Sequence, residues 1–131
     1  MMLLALSLAV TAPAVAKGGA TAGQLAEGCS VLPAMQDGQD EPPNLSEGET
    51  MIRMARAGLC SGYTQGLITG YVLAGSTAGG ESSTNFCMPD RVTPSQLSRI
   101  IVKHSQDHPE TEHEDATQFV VTLLMGTFPC R

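Results

Sequence analysis

Beyond residue 20 the apolar positions of this chain fall three and four apart, the spacing of one face of a helix, and polar breaks divide them into separate segments. A first short helix is expected over residues 24–31, ending before Pro33. Residues 36–44, QDGQDEPPN, are acidic and proline-rich without apolar periodicity, and read as a surface loop. Ser46-Glu47-Gly48-Glu49 then has the form of a capping box, the serine oxygen taking orphan N–H groups while the second glutamate reaches back. From there Met51, Ile52, Met54, Ala55 and Leu59 lead into GLCSGYTQGLITGYVLAG, the stretch around which the chain is organised. It sets Gly58, Gly62, Gly66 and Gly70 four apart, so that on a helix they form one ridge of bare backbone. Each interior glycine costs about 0.5–1 kcal/mol against alanine. The ridge is therefore expected to pack closely on a neighbour, within the chain or between two chains, while Tyr63, Leu67, Ile68, Tyr71 and Val72 supply bulk on the other sides. A helix over residues 47–73 would be about 40 Å long, and a bend is expected near Gly58 or Gly62.

Residues 75–86 are rich in Gly, Ser and Thr and read as a mobile loop. Long loops in compact domains are often functional, so Ser76, Thr77, Glu81, Ser82 and Asn85 are candidate partner contacts. The clearest local signal follows: Thr93 as N-cap, Pro94 at the first helical position, Gln96 closing a capping box, and Val92 set to staple to Leu97. Leu97, Ile100, Ile101 and His104 share one face of that helix, which should stop near Asp107. Pro109 is expected to start the last helix, with Glu110, Glu112, Glu114 and Asp115 in its first turns, where the macrodipole favours negative charge. Ala116, Phe119, Val120, Leu123 and Leu124 form its buried stripe, Gly126 ends it, and Phe128-Pro129-Cys130 folds back.

Composition sharpens this picture. With no Trp, three Phe and two Tyr in 131 residues, the core must be built from aliphatic, methionine and alanine side chains, which suits helices better than a sandwich. A formal net charge of -6 argues against a nucleic-acid partner, since phosphate binding needs clustered Lys and Arg and the seven here are scattered. Leu3 to Val10 is an apolar run followed by Ala14-Val15-Ala16, the form of a secretory signal peptide over residues 1–16, although no Lys or Arg precedes the run. Residues 17–23 then read as a flexible mature N-terminus and residues 24–131 as one domain. Export to the periplasm, an oxidising compartment, is expected. The uncharged stretch from Ala57 to Gly80 is long enough to span a bilayer, but Ser61, Thr64, Gln65, Thr69 and Ser76 leave it only half apolar. A buried helix without stable membrane insertion is the better reading.

Cys29, Cys60, Cys87 and Cys130 have none of the short spacings of zinc ligands and read as two disulfides, for which three pairings exist. We favour Cys29 with Cys60 and Cys87 with Cys130, each tying a short or loop segment to a neighbouring long helix without crossing the other. His104, His108 and His113 lie among Glu110, Glu112 and Glu114, a metal-cluster composition. Pro109 breaks the helix there, so His104 and His108 are not expected to share a face, and capping or solvated roles are assigned. There is no phosphate loop, no G-x-S-x-G and no free cysteine once both bridges form. Neither catalysis nor a cofactor is expected. The fold expected is all-α: a small disulfide-bonded bundle of about four helices with a bent central glycine-ridged helix.

Taken together, Cys60-x-Gly62-Tyr63-x-x-Gly66, Phe86-Cys87-x-Pro89, Val92-Thr93-x-x-Gln96-Leu97, His108-Pro109-Glu110 and Phe128-Pro129-Cys130 resemble the Rap/Tai family of type VI secretion immunity proteins. The resemblance covers residues 24–130. It implies an all-helical, disulfide-bonded periplasmic protein, often dimeric, that binds a peptidoglycan amidase effector and blocks its catalytic cleft. Two other classes fit the residues alone: a periplasmic acid-stress chaperone of the HdeA kind, titrating through its carboxylates and histidines, and an envelope interaction module of unknown partner.

Overall fold

The computed structural model describes residues 19–38, 42–77 and 86–131, and all the regular structure among them is helical. In chain order it comprises α1 (Ala22–Asp37), α2 (Glu47–Thr77), α3 (Pro94–Asp107), a 3-10 turn at Pro109–Thr111 and α4 (Ala116–Thr127). Short sequence signals fix where three of these helices begin. Ser46 Oγ accepts from the Glu49 N–H at 3.3 Å while Glu49 Oε2 accepts from the Ser46 N–H at 2.9 Å. Thr93 and Gln96 make the same reciprocal pair at 3.2 and 2.9 Å.

The third box was not anticipated. Thr21 Oγ1 accepts from the Gln24 N–H at 3.3 Å and Gln24 Oε1 accepts from the Thr21 N–H at 3.0 Å, so α1 starts at Ala22. The flexible N-terminus expected over residues 17–23 is thereby corrected for its last residues. Ala20 and Gly23 are also held by backbone bonds to the segment before α4: Ala116 N–H to Ala20 O, Ala22 N–H to Glu114 O and Gly23 N–H to Glu112 O. Residues 1–18, including the leader read from the sequence, lie outside the described residues.

Further helix ends differ from expectation. α1 does not stop before Pro33 but carries it inside and continues to Asp37, capped by Gly38 at φ 64°. A proline there removes one ladder bond, at a cost of about 3 kcal/mol, but Val31 and Leu32 just before it are buried, and Met35 beyond it packs on the core. Tertiary packing outweighs the local rule. α2 runs unbroken through Gly58 and Gly62 and past residue 73 to Thr77, about 46 Å at 1.5 Å per residue. Pro109 starts only the 3-10 turn, and α4 waits for Asp115, whose carboxylate accepts from the Thr117 and Gln118 N–H groups at 2.9 and 3.2 Å. That carboxylate is the better N-cap, and the residues before it are occupied in bonding α1. Glu110, Glu112 and Glu114 therefore lie outside the first turn of α4, and Gly126 lies inside the helix, which ends at Thr127.

The core gathers along α1, which has α2 on one side, α3 on the other and α4 across its start. Leu25 and Cys29 of α1, Cys60 of α2, Ile101 of α3 and Phe119, Val120 and Leu124 of α4 are all but inaccessible to solvent. The chain pairs Cys29 with Cys60 and Cys87 with Cys130. The first bridge is buried between α1 and α2. The second is exposed and ties the approach to α3 to the C-terminus, where the Cys87 N–H also donates to Phe128 O at 2.8 Å. Phe86, placed by the sequence in a mobile loop, is buried instead and stacks on Tyr71 at 5.1 Å.

Candidate interaction surface

Among the described residues, one side of α2 packs against the rest of the fold. Ala57, Cys60 and Thr64 are buried, with Tyr63, Leu67, Ile68 and Tyr71 partly so, and Tyr63 Oη lies 2.7 Å from Thr117 Oγ1 of α4. The charged residues in the middle of α2 lie on the α1 side: Arg56 makes a surface pair with Glu27 of α1 at 2.9 Å, and Arg53 lines a recess against α1 and α3. The opposite side, from Met51 to Leu73, is left without charge. Met51 is 70% exposed, Leu73 60% and Met54 56%.

The four glycines lie on this outer side. A Cβ built on Gly58, Gly62, Gly66 or Gly70 would meet nothing within 4 Å, so the ridge expected to pack on a neighbour has none among the described residues. The reason is the position of α1, which lies against the cysteine side of α2. The glycine that close packing does require is Gly28 of α1, whose Cβ would stand 3.0 Å from the Arg56 carbonyl oxygen. Sequence reading missed Gly28 because it stands alone, with no repeat to mark it.

Of the proposed contact residues, Ser76 and Thr77 belong to the last turn of α2 rather than to a loop. Glu81, Ser82 and Asn85 lie outside the described residues. Gln36 and Asp37, assigned to the first loop, close α1, and the Asp37 carboxylate pairs with Arg99 and accepts from Ser95 Oγ at 3.2 Å. Ser30, Pro33, Ala34, Asp37, Arg53 and Arg99 line the recess, of about 410 Å3, in which the Arg53 Nε–H is buried without a partner.

The histidines also correct an expectation. His108 caps α3 and its ring lies 4.5 Å from that of His104, which in turn meets Phe119 at 5.5 Å. The two imidazoles come together because the His108 N–H still donates to His104 O at 2.9 Å, which sets residue 108 one turn beyond residue 104. His108 Nδ1 is 3.1 Å from Glu110 Oε1. No group of three or more His, Cys, Asp or Glu arranged to hold a metal occurs among the described residues.

Three exposed carboxylates lie below their ordinary values. Glu49 is lowered chiefly by the Ser46 hydroxyl and then by its N–H, Asp107 chiefly by the Lys103 ammonium, and Glu110 by its own backbone N–H and then by His108. A depressed folded pKa contributes stability above the unfolded value, 4.5 for Glu and 3.8 for Asp, and that contribution is lost as pH falls through the folded value. Circular-dichroism melts are therefore expected to be level from about pH 7 to 5 and to decline only below about pH 4. Cooperative unfolding above pH 5 would contradict this and favour the acid-stress class.

No described helix is long and apolar enough to cross a membrane. Compared with protein families, the chain matches over residues 21–130 the family described as Rap1a immunity proteins. No curated protein and no solved structure matches it.

Proposed function

The chain belongs to the Rap1a immunity protein family, and from that premise we propose that it binds a peptidoglycan amidase delivered by type VI secretion and occludes its catalytic cleft. The observation that carries this is the extent of the family match, which runs from the N-cap of α1 to the last cysteine and so takes in every helix described. Both bridges suit an oxidising compartment, which supports action in the periplasm after removal of residues 1–16. With all four cysteines bridged, none is left as a nucleophile, in keeping with a role by binding rather than by catalysis. The protein acts as a homodimer in this reading. Its contact with the effector involves the segments at the two ends of α2, around residues 36–44 and 75–85.

Oxidised protein from the periplasmic fraction is expected to capture an amidase effector at micromolar concentration and to abolish its hydrolysis of peptidoglycan at equimolar ratio. Periplasmic co-expression should rescue cells from that amidase. Failure to bind or inhibit any member of a panel of such effectors would overturn amidase occlusion.

A further inference from the structure

The Lys and Arg residues on the helices are Arg53 and Arg56 of α2 and Arg99 and Lys103 of α3. All but one are neutralised by a neighbouring carboxylate: Arg56 by Glu27, Arg99 by Asp37 and Lys103 by Asp107. Arg53 forms no ion pair among the described residues, and its Nε is the one buried side-chain nitrogen or oxygen there without a hydrogen-bond partner. A buried donor left unbonded costs stability, the more so on a charged group. In a chain with 13 Asp and Glu against 7 Lys and Arg, that cost does not come from a shortage of carboxylates.

The surroundings of Arg53 have a definite chemistry. They form the recess of about 410 Å3 between α1, α2 and α3, a volume within the range of small-ligand sites. Val31, Pro33 and Ala34 give it an apolar wall. Ser30 Oγ donates its proton to the Glu27 carbonyl at 2.7 Å, which leaves the oxygen to act as an acceptor. Asp37 Oδ2 already takes Arg99 and Ser95, which leaves Oδ1 as a second acceptor. The charges of Asp37 and Arg99 offset one another, so the recess as a whole carries the single positive charge of Arg53.

We propose that this recess binds the C-terminal end of a short peptide, with Arg53 taking the free carboxylate. A guanidinium offers Nε–H and one terminal N–H as a parallel pair matched to the two oxygens of a carboxylate. The terminal nitrogens meet the ligand first, and a small swing of the side chain brings the buried Nε–H out to the second oxygen. Ser30 Oγ and Asp37 Oδ1 then accept from peptide N–H groups, while a small side chain such as that of alanine rests on Val31, Pro33 and Ala34. A bare inorganic anion would use the guanidinium but neither the acceptors nor the apolar wall, and Asp37 would repel it. This site goes beyond the immunity reading and does not depend on which effector is bound.

Titrating acetyl-alanyl-alanine into the oxidised protein while following the arginine Nε–H resonances by NMR reads the contact directly. The resonance missing from Arg53→Lys identifies Arg53. It is expected to shift and saturate with a dissociation constant of about 1 mM or below. The C-terminal amide of the same peptide lacks the charge and should bind at least about 10-fold more weakly. Arg53→Lys keeps the charge but loses the fork, and should weaken binding of the acid at least about 10-fold, read on the backbone amides of Ser30 and Ala34. Arg53→Met removes the unbonded donor and keeps an apolar stem, so it should melt no lower than the native protein and show no saturable response. An amide bound as tightly as the acid, an Arg53→Lys variant with native affinity, or no shift of the Arg53 resonance at about 10 mM peptide overturns the proposal. Inorganic phosphate or acetate that saturates the same shift at the same concentration as the peptide overturns the peptide assignment.

Discussion

Reducing both disulfides is expected to lower the melting temperature by on the order of 15 °C or more and to leave little folded protein at 37 °C. The bridges join residues 31 and 43 apart in sequence, and in the chain-entropy model loops of that size contribute about 4 kcal/mol each. Together they approach the whole stability of a domain of this size, about 5–15 kcal/mol. The two should not yield together. Cys87–Cys130 is exposed while Cys29 and Cys60 are 0% and 1% accessible, so a mild reductant should open the first and leave the second until the bundle unfolds. Thiol trapping with mass spectrometry resolves the order. Melting curves followed by circular dichroism, unchanged on full reduction, would show that the bridges contribute nothing to the fold.

A large side chain at Gly28 is the second severe change. Gly28→Leu drives carbon into the Arg56 carbonyl at the closest approach of α1 and α2, beside the Cys29–Cys60 bridge. Backbone cannot rotate away as a side-chain tip can, so the cost should be about 3 kcal/mol or more. Gly66→Leu on the outer face is the matching control. Its Cβ meets nothing within 4 Å among the described residues, and leucine favours a helix over glycine by roughly 0.5–1 kcal/mol. A single copy carrying it should melt no lower than the native chain. Equal destabilisation by both substitutions would contradict the placement of α1 against the cysteine side of α2.

That contrast also shows where sequence reading carries and where it stops. Periodicity and capping residues are local, so the helical class, the Thr93 and Ser46 starts and the buried stripe of α4 could be read directly. The same chemistry at Thr21 and Gln24 was legible but masked by the glycines around it. What could not be read depends on partners distant in sequence. Pro33 is tolerated because of what packs on either side of it, Asp115 displaces Pro109 as the start of a helix because residues 112–114 are bonded to α1, and Asp37 leaves the loop because Arg99 and Ser95 hold it. A repeat of glycines announces that something fits there. It does not say whether that something is the same molecule. The glycine repeat singled out in the sequence lies on α2, on a face that is outward, uncharged and uncovered among the described residues.

The backbone bonds between the start of α1 and the residues before α4 have a consequence for how the protein is made. Thr21 bridges to Asp115, and Ala20, Ala22 and Gly23 bond to Ala116, Glu114 and Glu112, so the first ordered residues close on some of the last. α4 also brings Phe119, Val120, Leu123 and Leu124 to the core, and Cys130 beyond it completes the second bridge. A chain emerging N-terminus first has no backbone partner for the start of α1 until residues 112–116 have emerged. The helices that precede α4 therefore complete their packing only once α4 itself is available.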